Sequence, residues 1–214
     1  MSMTGSLLDR HSIAWTAIIN HDFLRNVGEG RMDEAGFIRW LEQDYHFVSG
    51  LISFVGQLIS RLEGERELLR ALAAAVDTLC AELELFEHQA QAFGAHVHSA
   101  PVSPVCFNYL NYLNCLVREQ PVAVSLLAYW ALEQAYFDGW CYVRDCGKAP
   151  AALSGFLTNW TCPEFGSYVR LLRDGSDRLL RPEHELPALA TLEQVIRFEH
   201  GFWDLGLAED RWPG

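Results

Sequence analysis

The sequence has few basic residues. Its 214 residues include 16 lysines and arginines against 28 aspartates and glutamates, which gives a formal net charge of −12 at pH 7. A phosphate backbone or an anionic lipid surface repels a protein of this charge. Nucleic acids and membranes are therefore not expected as partners.

The sequence also has little in common with membrane or secreted proteins. Its nearest approach to a long apolar run, residues 122–132, is shorter than the about 18 residues that a membrane-spanning helix needs. Residues 1–15 lack the basic segment and apolar run of a secretory signal. The six cysteines have no C-x-x-C spacing. We therefore expect free thiols, a cytoplasmic protein and no zinc site.

Several catalytic and cofactor-binding motifs are missing. The sequence contains no G-x-S-x-G, no phosphate-binding loop and no G-x-G-x-x-G, which disfavours a serine hydrolase, a nucleotide hydrolase and a dinucleotide enzyme. No histidine follows a glutamate by three residues, so the Glu-x-x-His pairs of a di-metal bundle are absent. His11 or His21 is interpreted as structural and not as a haem ligand. We expect neither a metal nor a cofactor.

Runs that alternate with a period of two are scarce, whereas apolar residues recur at helical spacing almost throughout. The pattern predicts an all-α fold: one domain over residues 1–214, a bundle of seven or eight helices. Asp33, Gly94, Ser103 and Gly147 are expected to cap helices. The predicted helices lie at about residues 7–20, 33–62, 65–93, 104–117 and 121–146, in two shorter segments after Pro150 and Pro163, and at 187–207, with a polar loop at 175–187.

Three acidic residues interrupt apolar stripes on three different predicted helices. They are Asp44, Glu133 and Glu199. A carboxylate that faces a core is costly unless it is paired or protonated, and each one alone is equally well explained by a small rotation of its helix. Together they predict a shared polar pocket with raised carboxyl pKa values, which suits general acid–base catalysis.

Aromatic residues accompany these acids along the stripes. Most aromatic side chains at helical spacing simply fill a core, but their number here is also consistent with a slot for a flat ring whose amino groups bind carboxylates. The candidates are Tyr45, Phe47, Tyr109, Tyr112, Tyr136, Trp140, Trp160 and Trp203.

Two segments resemble the signatures of a known family. Near the amino terminus, His-Asp-Phe-Leu at 21–24 is followed by Gly-Glu-Gly at 28–30, Phe37 and Leu-Glu-Gln-Asp-Tyr at 41–45. Near the carboxy terminus, residues 198–203 read Phe-Glu-His-Gly-Phe-Trp. The order and spacing of these segments resemble the TenA family of thiamin-pyrimidine salvage hydrolases.

The resemblance implies a haem-oxygenase-like helical fold without haem, a homo-oligomer (dimer or tetramer), and a small pyrimidine as substrate. By position, Asp44 matches the acid that binds the pyrimidine, Tyr109 a tyrosine of the pocket, and Glu199 the catalytic acid near the carboxy terminus. Phe47 stands where the family has a tyrosine.

The sequence departs from the family's thiaminase type at the central helix. Residues 131–136 read Ala-Leu-Glu-Gln-Ala-Tyr and contain no nucleophilic cysteine. Glu133 and Trp160 resemble a second subgroup that uses a glutamate and removes the formyl or amino group of aminomethylpyrimidines. The sequence therefore predicts Glu199 and Glu133 as catalytic residues, with Asp44, Phe47, Tyr109, Tyr136 and Trp160 binding the substrate.

Two alternatives stay open at this point. One is a haem-oxygenase-like di-iron oxidase of similar topology. The other is a pyrimidine-binding or regulatory protein that has kept the pocket and lost the chemistry.

Overall fold

The fold was obtained as a computed structural model that describes residues 2–212, and these residues form helices and no strands. The all-α prediction is confirmed. The α-helices are α1 (Met3–Arg10), α2 (Ser12–Ile19), α3 (Asp22–Gly28), α4 (Glu34–Arg61), α5 (Arg66–Phe93), α6 (Pro104–Glu119), α7 (Val122–Cys146), α8 (Ser154–Thr161), α9 (Pro163–Leu179) and α10 (Glu185–Asp204), and short 3-10 helices lie at Ala151–Leu153 and Pro182–His184.

The long helices begin and end at the predicted capping residues. The Asp33 carboxylate accepts a hydrogen bond from the Gly36 N–H at 2.9 Å and starts α4. Ser103 caps α6 in the same way through the Cys106 N–H. Gly94 and Gly147 end α5 and α7 with φ values of 69° and 71°, the left-handed region that favours glycine.

The first predicted helix is divided. The chain leaves helical geometry at His11, which separates α1 from α2, and again at Asn20. The ring of His21 then accepts a hydrogen bond from the Phe23 N–H at 3.3 Å and caps α3. The sequence pattern missed α3 because Gly28, read as a helix breaker, is its last residue. A Cβ on Gly28 would lie 3.0 Å from the Cys146 Sγ atom, so glycine permits α3 to approach α7 closely.

The predicted polar loop at residues 175–187 is wrong, because α9 continues to Leu179. The Ser176 hydroxyl is buried and donates a hydrogen bond to the Leu172 carbonyl oxygen at 2.9 Å. Gly175 is also buried, with no room for a Cβ beside the Leu68 side chain. Small polar residues here serve helix packing and not a loop.

Helix α7 lies at the centre of the bundle, as its apolar composition predicted. It contacts α2, α3, α4, α6, α8, α9 and α10, and every residue from 123 to 133 is buried. A carboxyl group in this stretch must therefore sit inside the protein. Within residues 2–212, no helix is both long and apolar enough to cross a membrane.

Two glycines of α4 provide a matched test of helix packing. A Cβ on Gly36 would lie 2.0 Å from the Gly206 carbonyl oxygen, whereas one on the exposed Gly56 would meet nothing within 4 Å. We expect Gly36→Ala to lower the free energy of unfolding by about 1–3 kcal/mol through overpacking. Gly56→Ala should raise it by up to about 1 kcal/mol through helix propensity. Urea denaturation measures both changes, and equal effects would contradict the close contact.

Candidate active site

The three predicted acids are all buried, on three different helices. Asp44 of α4 exposes 0% of its surface, Glu133 of α7 exposes 8%, and Glu199 of α10 exposes 1%. None of them is among the ion pairs of the described chain. All three carboxyl groups therefore lie inside the protein.

Asp44 accepts a hydrogen bond from a tyrosine. The Tyr136 hydroxyl lies 2.7 Å from Asp44 Oδ1, while Asp44 Oδ2 is buried without any hydrogen-bond partner. Tyr136 comes from α7, so this bond connects α4 to the central helix. The second oxygen of Asp44 is free to receive a donor from a ligand.

Glu199 has the same arrangement. The Tyr109 hydroxyl of α6 donates to Glu199 Oε1 at 2.7 Å, and Glu199 Oε2 has no partner. The Tyr109 ring stacks on Phe198 at 4.7 Å between centroids and also contacts Phe47 at 4.7 Å. These rings fix the tyrosine that orients Glu199.

Glu133 ends a chain of hydroxyl groups. The Tyr168 hydroxyl of α9 donates a hydrogen bond to the Tyr129 hydroxyl at 3.0 Å, and Tyr129 lies close enough to Glu133 to oppose the rise in the pKa of that carboxyl group. Because Tyr129 accepts from Tyr168, its own proton is available for the Glu133 carboxylate.

A fourth buried carboxyl group, Glu82 of α5, was not predicted. It exposes 9% of its surface, and the nearby side chains of Trp160 and Asn159 oppose the rise in its pKa. Apolar residues of α5 recur at helical spacing in two overlapping ways, one through Leu69 and Leu83 and one through Leu68 and Glu82. The structure buries the second set, and the place of Glu82 on it is the signal that could have found this residue: Leu68, Leu72, Ala75, Leu79, Glu82 and Phe86.

Three of the buried acids, Asp44, Glu82 and Glu133, line a narrow space, here called the acid cavity, with a volume of about 20 Å³. Such a space holds about one water molecule. Five of the seven predicted site residues line it, whereas Glu199 and Tyr109 do not; the Tyr109 ring contacts the Phe47 ring, which does line it. The full lining is Asp44, Phe47, Val48, Leu51, Leu79, Glu82, Leu132, Glu133, Tyr136 and Trp160.

A larger space, here called the outer cavity, adjoins the acid cavity and has a volume of about 280 Å³. Leu79, Glu82 and Glu133 line both spaces, so these residues form the boundary between them. The rest of the outer lining comes from α5, α7, α8 and α9 and consists of Ala71, Ala74, Ala75, Thr78, Tyr129, Asn159, Cys162, Glu164, Phe165 and Tyr168.

Burial shifts the four carboxyl groups in the same direction. It raises the pKa of Asp44 to about 8, that of Glu199 to about 8 and that of Glu133 to about 7. The hydrogen bonds from tyrosines oppose these shifts without cancelling them. Burial also holds the pKa of Glu82 well above its usual range, with the charges of Asp44 and Glu133 adding to the effect. Near neutral pH the Glu133 carboxyl group is therefore protonated in part of the molecules and ionised in the rest, which suits general acid–base catalysis.

Side chains suited to a metal lie together elsewhere. The ligand atoms of His21, His200 and Asp204 lie within 4.8 Å of one another where α3 meets the end of α10. His200 and Asp204 are exposed, and both histidines contact the Asp204 carboxylate, at 3.3 and 3.1 Å. Glu199 points away from this group, as expected for a residue adjacent to His200 on a helix.

All six cysteines are free thiols, as the sequence predicted. Cys106 is buried, and its Sγ atom contacts the Gln43 carbonyl oxygen at 3.5 Å; burial raises its pKa well above the usual thiol range. Cys162 lines the outer cavity. Among the described residues no cysteine lines the acid cavity, and its ionisable side chains are those of Asp44, Glu82, Glu133 and Tyr136.

The sequence model of the TENA/THI-4/PQQC family matches residues 8–209. The chain belongs to this family. A "Probable bifunctional TENA-E protein" of Glycine max is 24% identical, over 96% of this chain and 93% of the relative. An "Aminopyrimidine aminohydrolase" of Halalkalibacterium halodurans is 22% identical, over 99% and 98%.

Solved structures agree with the family assignment. A TenA homologue from Pyrococcus furiosus superposes with a TM-score of 0.89 and 26% identity, over 95% of this chain and 99% of that one. A domain with a haem-oxygenase-like fold from Shewanella denitrificans gives a TM-score of 0.74 at 13% identity, over 98% of each chain. The resemblance to TenA proteins and the haem-oxygenase-like fold are thus confirmed for this TENA/THI-4/PQQC member.

The raised pKa of Asp44 predicts a pH-dependent stability. The folded protein keeps a proton on Asp44 up to about pH 8, whereas the unfolded chain releases it near pH 4, so the free energy of unfolding falls as the pH rises through this window. Asp44→Asn keeps an acceptor for Tyr136 and cannot ionise. We expect it to raise the free energy of unfolding near pH 9 by at least about 1 kcal/mol more than near pH 5.

Urea denaturation at the two pH values measures this difference. Asp77→Asn, on the exposed side of α5, controls for the change in net charge. If Asp44→Asn changes stability equally at both pH values, Asp44 is ionised in the folded protein throughout.

Proposed function

We propose that this protein is a hydrolase of thiamin salvage that cleaves a C–N bond of formylaminopyrimidine or aminopyrimidine by carboxylate acid–base catalysis. The observation that carries the proposal is the set of carboxyl groups at the acid cavity, Asp44, Glu82 and Glu133, with Glu199 buried close enough to feel the charges of Asp44 and Glu133. Within the described residues, none of them has a lysine or arginine partner. Such a group favours a ligand rich in N–H donors, and amino-substituted pyrimidines are ligands of this kind.

Asp44 anchors the ring in this proposal. Its free Oδ2 atom accepts a hydrogen bond from the exocyclic amine of the substrate. When Asp44 is protonated, its carboxyl group donates a hydrogen bond to a ring nitrogen. Phe47, Tyr136 and Trp160 line the same space and supply flat surfaces for the pyrimidine. Because an aminopyrimidine is larger than the acid cavity, binding requires these side chains to move, and the outer cavity provides the adjoining room.

Glu133 and Glu199 move the protons. One of the two carboxylates takes a proton from water as the water oxygen attacks. With the formyl compound, the oxygen adds to the formyl carbon, the C–N bond breaks, the nitrogen takes a proton, and formate and the amine leave. With the amine, the oxygen bonds to the methylene carbon and ammonia leaves. A carboxyl pKa near neutrality suits both transfers; the pKa of Glu133 is about 7.

The names of two relatives support this choice of chemistry: one is an aminopyrimidine aminohydrolase and the other carries the TENA-E designation. The missing cysteine supports it as well. Residues 131–136 contain no thiol, and the positions that line the acid cavity offer carboxyl groups instead. Classical thiaminase activity is therefore not part of the proposal.

Glutamine substitutions test the catalytic roles. Glu199→Gln and Glu133→Gln preserve size and hydrogen bonding but cannot exchange a proton, so we expect each to lower kcat about 100-fold or more. Cys141→Ala and Cys106→Ala are the matched controls and should retain most activity. The measurement is the rate of hydrolysis of formylaminopyrimidine and aminopyrimidine, with intact thiamin as a further substrate. If a cysteine variant has no activity while both glutamine variants keep full activity, the acid–base mechanism is wrong and a thiol carries out the reaction.

We also propose that the protein acts as a homo-oligomer, as the resemblance to TenA proteins implies. Two large apolar side chains are unusually exposed in the single chain, Ile13 at 88% and Leu186 at 77%, and burial between subunits would remove them from water. Light scattering at micromolar concentration should give a dimer or a tetramer. Ile13→Asp should dissociate it if this surface forms the contact, and a wild-type monomer would contradict the proposal.

A further inference from the structure

The outer cavity has a role that the acid–base chemistry does not use. It is about fourteen times larger than the acid cavity, at about 280 Å³ against about 20 Å³. A formyl group is too small to require such a space. The two cavities meet at Glu82 and Glu133, so any group attached to the reacting end of a bound pyrimidine extends toward the outer cavity.

The positions of the acids determine the direction in which a bound pyrimidine points its reacting end. Asp44 lines the acid cavity and does not line the outer one, whereas Glu133 lines both. A ring anchored at Asp44 therefore presents its C–N bond to Glu133 at the boundary. Atoms beyond that bond, which leave with the acyl product, lie on the outer side.

The lining of the outer cavity defines the chemistry of this group. One wall is built from small side chains of α5, namely Ala71, Ala74 and Ala75, and a second wall contributes Phe165. The polar groups nearby are neutral hydroxyl and amide groups or carboxyl groups, including the exposed Glu164. Across residues 2–212, no lysine, arginine or histidine lines either cavity. An uncharged apolar substituent matches this surface, and an anionic one does not.

We propose that the outer cavity is a second subsite that binds the uncharged acyl substituent carried by the aminomethyl nitrogen of the pyrimidine. The enzyme then accepts N-acyl groups longer than formyl and rejects acyl groups that carry a carboxylate or phosphate. This proposal rests on the proposed hydrolysis of aminopyrimidine amides. It adds a specificity for the acyl group, determined chiefly by Ala75 and Ala71.

A series of N-formyl, N-acetyl, N-propionyl and N-butyryl aminopyrimidines tests the subsite. Wild-type kcat/KM should fall less than about tenfold from formyl to butyryl, because each added methylene enters an apolar space. Ala75→Leu fills that space, so the ratio of kcat/KM for butyryl to that for formyl should drop at least about tenfold. Ala71→Leu is a second filling variant, in case Ala75→Leu does not fold. Ala73→Leu is the matched control, because Ala73 is exposed on the same helix and lines neither cavity.

The charge selection is tested with the N-succinyl compound, which has a similar length and one carboxylate. Its kcat/KM should lie at least about tenfold below that of the butyryl compound. Glu164→Gln removes one negative charge from the outer cavity, so it should raise kcat/KM for the N-succinyl compound relative to kcat/KM for the N-butyryl compound. An N-succinyl compound processed as well as N-butyryl would overturn the charge selection.

Binding separates this proposal from the proposed function. Calorimetry measures the affinity of each N-acyl compound whether or not it is hydrolysed. If no compound is hydrolysed but Ala75→Leu selectively weakens binding of the longer ones, the catalytic proposal fails and the subsite stands. If the formyl compound is hydrolysed while neither leucine variant changes the preference for acyl length, the subsite is wrong. Failure of every compound to bind contradicts both.

Discussion

Four carboxyl groups are buried close to one another, and among residues 2–212 no lysine or arginine pairs with them to offset the cost in free energy. This constraint determines the rest of the site. Asp44, Glu82, Glu133 and Glu199 come from α4, α5, α7 and α10. Each can be neutral or hydrogen-bonded, but they cannot all be ionised together in a dry interior. The raised pKa values follow from this constraint. Burial of apolar side chains elsewhere in the fold must offset the free-energy cost of keeping these carboxyl groups away from water.

The central helix provides much of that burial. Residues 123–133 of α7 are all buried, and Trp140 farther along it joins an aromatic cluster with Trp40, Phe156 and Trp160. Trp160 also lines the acid cavity beside Glu82. One side chain therefore belongs both to the apolar core and to the polar site, so the core holds the acids in position.

The sequence predicted most of this arrangement because helical periodicity is a strong signal. Asp44, Glu133 and Glu199 each replaced an apolar residue on a clear stripe, and all three are buried. Glu82 was missed because the α5 stripe can be drawn through two adjacent registers, and only tertiary packing selects between them. The helical Gly175 was missed for a related reason: close contact with the Leu68 side chain of α5, and not local propensity, determines it.

The hydrogen bonds to the acids explain why their pKa values stay near neutrality. A tyrosine hydroxyl donates a hydrogen bond to each of Asp44 and Glu199, and Tyr129 lies near Glu133 and opposes the rise in its pKa. An arginine in the same place would hold the carboxylate ionised and occupy both of its oxygens. A neutral hydroxyl binds one oxygen, orients the group and only partly offsets the cost of burial. At Asp44 and Glu199 the second oxygen has no partner. Tyrosine donors thus leave these two acids able to exchange a proton and to contact a ligand, which arginine donors would prevent.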